Sequence, residues 1–123
     1  MLDGFKVYFM APGGQTVTFT KNGLGISKAV VAKMENPKHV KILFDKSRRR
    51  MAIQRCSEDT EGAVTFSKSE NPEGLRWNTR DLSNTIKQIS GWSVDDGQTY
   101  KIEGEWFEED EAFIFEFDKA EQG

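Results

Sequence analysis

Two near-identical phrases, "VTFTK" at residues 17–21 and "VTFSK" at residues 64–68, decide how this chain is read. In the first, Val17 and Phe19 fall on one face of an extended backbone and Thr18 and Thr20 on the other, the alternation of a half-buried strand. The second repeats it 47 positions later in a chain of 123 residues. Whether the neighbouring elements repeat as well therefore sets the architecture.

Downstream of the first phrase, "KNGLG" (21–25) reads as a turn and "ISKAVVAKM" (26–34) as a short helix. Ser27 is a suitable N-cap, because its hydroxyl accepts from a free amide of the first turn. Val30, Val31 and Met34 form one apolar stripe, and the helix must stop before Pro37. "HVKILFD" (39–45) and "RMAIQRC" (50–56) alternate at period two around "KSRRR" (46–50), which describes a hairpin with a basic turn.

The second half runs in the same order. "GAVTFSK" (62–68) is a strand, "SENPEG" (69–74) a loop and "LRWN" (75–78) a short strand. Asn78 or Thr79 can cap the helix "RDLSNTIKQIS" (80–90), in which Leu82, Ile86 and Ile89 share a face and Gly91 supplies the C-terminal residue with φ > 0. After the turn-rich link "WSVDDGQ" (92–98), "TYKIEGEWF" (99–107) and "EAFIFEFD" (111–118) form a second hairpin around "EEDE", with Phe113, Phe115 and Phe117 on one face. Before the first copy, "FKVYFM" (5–10) reads as a strand and "APGG" (11–14) as a turn. "KAEQG" (119–123) reads as a polar tail expected to fray.

Strand, loop, short strand, helix and hairpin thus occur twice. Ser27 answers Thr79, Val30 answers Leu82 and Met34 answers Ile86, all 52 positions apart. The five extra residues beyond the strand offset fall in the loop holding "ENPEG", where insertions are best tolerated. The expected fold is mainly β with two short helices, a small barrel built from two β-loop-β-α-β-hairpin repeats. One domain over 1–123 is expected: an N-terminal strand and turn (1–14), repeat one (15–56), repeat two (62–118) and a tail (119–123).

Composition sets further bounds. A chain of this length, 37% hydrophobic and 30% charged, can bury a core without disulfides or a structural metal. The one cysteine, Cys56, permits no intrachain disulfide and no CxxC site, which suits a reducing, cytoplasmic setting; it reads as a small residue at a strand end. Neither a signal peptide nor a membrane span is expected, since no basic leader and no long apolar run occurs. The net charge of −3 hides a division. Residues 1–56 carry 11 Lys and Arg against 3 acids, or +8; residues 57–123 carry 6 against 17, or −11.

The stretch from Val17 to Cys56 resembles the swapped-hairpin unit of AbrB-type transition-state regulators. Gly25, Ile26 and Ser27 take the place of its strand into the helix, and "HVKILFD…RMAIQR" that of its closing hairpin. The second copy resembles the unit through "LRWNTRDLSNTIK" and the last hairpin. The proline expected before the helix is Ser27 in one copy and Thr79 in the other. In that family two units interleave into one small barrel, which a tandem duplication can accomplish within one chain. The resemblance implies either a DNA-binding regulator, with lysines and arginines near loop and helix contacting phosphates, or an antitoxin-like interaction protein.

The candidate polyanion-binding residues are Lys21, Lys28, Lys33, Lys46, Arg48, Arg49, Arg50 and Arg55. Arginine forks match phosphate oxygens, so "KSRRR" reads either as a phosphate clamp or as a solvated turn opposing edge aggregation. The acidic stretch "EGEWFEEDE" (103–111) lacks EF-hand spacing and reads as a charged turn, able to face a basic surface including "KSRRR" of a neighbouring molecule. His39 is the only histidine and has no catalytic or zinc partners in the sequence. Trp77, Trp92 and Trp106 lie in the acidic half, where a phosphate backbone is repelled, so they read as core. No cofactor, metal or catalytic set is expected. Two functions stand: a double-stranded-DNA-binding regulator using the basic half, and a protein-interaction module (antitoxin-like, phage-encoded or accessory) that meets a partner or another copy of itself through opposite charge.

Overall fold

The computed structural model describes residues 3–4, 14–66, 75–77, 79–94 and 97–122. Within them the first half gives β1 (Thr16–Thr20), β2 (Gly23–Ile26), α1 (Lys28–Lys33), β3 (His39–Asp45) and β4 (Arg50–Arg55). The second gives β5 (Val64–Thr65), β6 (Leu75–Trp77), α2 (Arg80–Ser90), β7 (Tyr100–Glu103), β8 (Glu105–Phe107) and β9 (Ala112–Glu116). A 3-10 turn (Phe117–Lys119) and β10 (Glu121–Gln122) follow. The fold is mainly β with two helices, and its strands form two antiparallel five-stranded sheets in the orders β10-β7-β1-β2-β6 and β5-β3-β4-β9-β8. No ladder among the described residues joins the sheets into a closed barrel. The expected strand at 5–10 and the loop at 69–74 lie outside the described residues.

Each sheet draws strands from both halves of the chain. β1 pairs with β2 on one side and β7 on the other, placing Val17 beside Ile26 and Ile102. β4 pairs with β3 and with β9, placing Met51 beside Phe115 and Ile53 beside Phe113. One continuous core results, in which Phe19, Leu24, Met34 and Ile53 pack with Ile86, Ile102, Phe113 and Phe115. Burying one such side chain stabilises the fold by about 1.5–3 kcal/mol. Both walls of this core are completed only when strands of the two halves come together.

Local chemistry explains the element boundaries. The Ser27 hydroxyl accepts from the Val30 amide at 3.3 Å and from the Thr16 amide at 3.1 Å, and donates to the Gly14 carbonyl at 2.9 Å. One side chain therefore caps α1 and fastens the start of β1. α2 ends at Gly91 with φ 79, while Thr79 occupies its N-cap position without a side-chain capping bond. The tryptophans pack: Trp92 stacks on Tyr100 at 4.3 Å and meets Phe117 edge-on, and Trp106 tilts against Phe113 at 5.2 Å.

Three expectations need correction. The turn expected at "KNGLG" occupies only Lys21 and Asn22, tightened by the Asn22 amide donating to Thr20 Oγ1, and β2 begins at Gly23, whose φ is 118. The tail expected to fray instead forms β10, with Glu121 opposite Lys101 and Gln122 opposite Tyr100. It covers the side of β7 that would otherwise be an open edge, which polar side chains do as well as apolar ones because the ladder uses backbone groups. Finally, "TYKIEGEWF" is not one strand. It breaks at Gly104 into β7, which joins the first sheet, and β8, which joins the second.

Gly104 permits that change of sheet. A Cβ built there would lie 2.4 Å from Cε1 of Phe115, a ring that is fully buried in the core. The Gly104 amide donates to the Gln15 carbonyl at 2.8 Å, so the backbone cannot simply swing away. Gly104→Ala is expected to cost about 1–3 kcal/mol of stability, the usual penalty of overpacking. Denaturant unfolding checks this, with Gly14→Ala as a comparison at a site where the added carbon meets its nearest neighbour, Thr16 Cγ2, at an ordinary 3.5 Å.

Candidate interaction surface

Two hairpin turns, 46–49 and 108–111, share one backbone geometry. In each the fourth amide donates to the first carbonyl: Arg49 to Lys46 at 3.4 Å, and Glu111 to Glu108 at 3.2 Å. The fourth residue is left-handed in both, with φ 54 at Arg49 and 51 at Glu111. Their carbonyls then accept from a neighbouring strand end, Arg49 from the Phe117 amide at 2.9 Å and Glu111 from the Arg55 amide at 3.0 Å. One turn presents Lys46 and Arg48, and the other Glu108, Glu109 and Asp110, all exposed.

The arginines of the first half are largely committed within the molecule. Arg49 donates to the Ser90 carbonyl at 2.7 Å, where a cation suits the negative end of α2, and pairs with Asp118 at 3.1 Å. Arg50 pairs with Asp45 at 3.1 Å and stands opposite Glu116 in the β4–β9 ladder. Arg55 lies 3.7 Å from Glu35 and 3.8 Å from Glu111. The Arg48 amide, then the Ser47 hydroxyl, hold the Asp45 carboxyl below its ordinary range, with Arg50 adding to the effect. The Glu116 carboxyl is likewise lowered, chiefly by Lys119.

The remaining candidates are free. Lys21 on the β1–β2 turn, Lys28 and Lys33 on α1, and Lys46 and Arg48 on the β3–β4 turn are exposed, and none has an ion pair among the described residues. The eight expected residues therefore divide into three that bind the fold's own acids and five that face solvent. They do not gather into one cluster of arginines.

The second sheet offers a surface that sequence reasoning missed. Its inner side buries Met51, Ile53, Phe113 and Phe115. On its outer side Leu43, Ala52, Ile114 and Glu105 are consecutive cross-strand neighbours, and Phe107 stands one row away opposite Ala112. Leu43 and Phe107 are 41% and 36% exposed. A shallow cleft of about 240 Å³ lies among Leu43, Ala52 and Ile114 with Asp45 and Arg50 at its rim. A second, of about 400 Å³, adjoins it across Ile114 and reaches Phe107, Glu105 and Lys119. The signal was present in the alternation: Leu43 and Ile114 are apolar residues at positions whose phase is solvent-facing.

Among the described residues no group of three or more His, Cys, Asp and Glu side chains is arranged to hold a metal. His39 opens β3 half-buried, and Cys56 follows β4 half-buried. Among the described residues no helix is long and apolar enough to cross a membrane. Compared with family models, curated proteins and solved structures, the chain has no match in any of the three.

The division of the arginines is testable. Arg49→Ala removes a charged hydrogen bond to the end of α2 and a partly screened ion pair, and is expected to cost about 1–2 kcal/mol. Lys46→Ala and Arg48→Ala are expected to stay within about 0.5 kcal/mol of the parent in the same denaturant titration.

Proposed function

We propose that this chain is a protein-interaction module without catalytic chemistry, built on an intramolecular form of the swapped-hairpin unit, whose docking face is the outer side of the second sheet. The observation carrying the functional part is the outward-facing row of exposed Leu43 and half-buried Ala52 and Ile114, with exposed Phe107 beside it, on a face whose other side is sealed into the core. Apolar residues so grouped and rimmed by charge are characteristic of surfaces that meet another protein.

Strand register supports the duplicated unit. β1 and β5 are offset by 47 (Val17 to Val64), whereas β3 with β4 and β7 to β9 are offset by 62 (Val40 to Ile102, Met51 to Phe113). Under those shifts the β1–β7 pair Val17 and Ile102 corresponds to the β5–β3 pair Val64 and Val40. The β3–β4 pair Leu43 and Ala52 corresponds to the β8–β9 pair Glu105 and Ile114. The β4–β9 and β2–β6 ladders correspond to themselves. The two turns obey the same shift, Arg49 to Glu111. The finer reading, a closed swapped-hairpin barrel, requires a β5–β6 ladder as the counterpart of β1–β2.

A photo-crosslinking residue placed at Leu43 in cells is expected to give a discrete covalent adduct, absent when the same probe stands at Glu58 in an exposed turn. Equal labelling at both positions, or none at Leu43, would contradict the docking face.

DNA binding is the second reading, favoured by the five free cations Lys21, Lys28, Lys33, Lys46 and Arg48. It predicts affinity for a mixed-sequence duplex that falls steeply as salt rises, and weakens further in a Lys28→Ala/Lys33→Ala variant. Fluorescence anisotropy with no binding at low salt would end it.

A further inference from the structure

We infer that the partner of this docking face presents an extended basic segment, with one apolar side chain for the cleft and lysine or arginine about four residues away from it. The inference rests on the outer face of the second sheet being a docking surface and adds the chemistry of what docks there. Its ground is an apolar centre joined to one acidic end.

The outward-facing residues of the sheet stand in three cross-strand rows. Leu43, Ala52, Ile114 and Glu105 make the middle row. On one side of it lie Asp45, Arg50 and Glu116, whose charges are met within the fold, Arg50 by Asp45 and Glu116 by Lys119. On the other side lie Lys41, Gln54, Ala112 and Phe107. Directly beyond Phe107 the chain turns through Glu108, Glu109, Asp110 and Glu111, all exposed.

That turn belongs to the outer side. The Gln54 side chain, which stands on that side, donates to the Asp110 carbonyl at 2.8 Å. Of the four carboxylates, Glu108 accepts from the Trp106 indole and Glu111 lies 3.8 Å from Arg55. Glu109 and Asp110 hold no ion pair among the described residues. Lys41 shares the Phe107 row but stands three strand spacings away, about 14 Å, beyond the screening length of about 8 Å at physiological salt. The tip of the turn therefore keeps its negative charge beside an apolar surface.

Spacing follows from the strand. From Ile114 at the cleft to Asp110 at the tip is about 10–13 Å, which four residues of extended chain also cover. Burial of the apolar side chain supplies affinity, and the opposite charges set register and reject other partners. A nucleic acid or an acidic segment brings the wrong charge to this end.

Selection of a random peptide library displayed on phage, with the full chain immobilised, tests this. Enriched sequences are expected to carry an apolar residue with Lys or Arg about four positions from it. One such peptide, labelled for fluorescence anisotropy, should bind Glu109→Lys about threefold or more weakly than the parent, the scale of an exposed ion pair lost and reversed. It should lose binding to Leu43→Asp. Asp81→Lys makes the same change of charge on α2 and should bind like the parent. Circular dichroism checks that each variant keeps its sheet content. Peptides that need Leu43 but show no excess of Lys and Arg, or equal weakening by Glu109→Lys and Asp81→Lys, overturn the inference and leave the docking face standing. Peptide released again as the chain is concentrated gives the face to a second copy and also overturns it. No enrichment, or enrichment indifferent to Leu43→Asp, removes both the inference and the docking face.

Discussion

The ladder between β4 and β9 holds the molecule together. It joins the closing strand of each half along five register pairs, from Arg50 opposite Glu116 to Gln54 opposite Ala112. Beneath it lie Met51, Ile53, Phe113 and Phe115, all fully buried. Every other strand of that sheet is placed by these two, and the first sheet faces their inner side. A ladder of this kind is long-range in sequence, so its loop-closure entropy is offset only when the apolar faces of both halves come together. Folding of one half is for that reason conditional on the other.

That dependence also shapes the charge distribution. The turns after β3 and β8 have the same backbone, yet one carries Lys46 and Arg48 and the other Glu108, Glu109 and Asp110. Part of the opposition is spent inside the fold, where Arg49 meets Asp118 and Arg55 meets Glu111. The rest is displayed at the turns, with Lys46 and Arg48 exposed on one and Glu108, Glu109 and Asp110 on the other.

Much of the architecture was legible in the sequence because it rests on period and punctuation. α2 spans the stretch where Leu82, Ile86 and Ile89 share a face and ends at Gly91, and Ser27 caps α1 as its hydroxyl suggests. What escaped depends on groups that carry no pattern. β10 forms because backbone amides and carbonyls of β7 lie open, a fact that the polar letters "EQ" do not encode. Gly104 breaks a run that alternates well, because the ring of Phe115 occupies the space a side chain would need. The candidate site was legible by residue type but not by fate: Arg49 and Arg55 are tied to Ser90, Asp118 and Glu111, all distant in sequence, and Arg50 to Asp45 across its own hairpin, so that the fold rather than the run of letters reveals them as structural.

Severing the chain in the exposed turn after Asp59 tests the interdependence of the halves most directly. Residues 1–59 and 60–123 should each lack a cooperative unfolding transition when purified alone. Mixed in equal amounts, they should regain the parent β-sheet circular dichroism and a single transition. A fragment that unfolds cooperatively as an isolated monomer, with no change on adding the other, would contradict it.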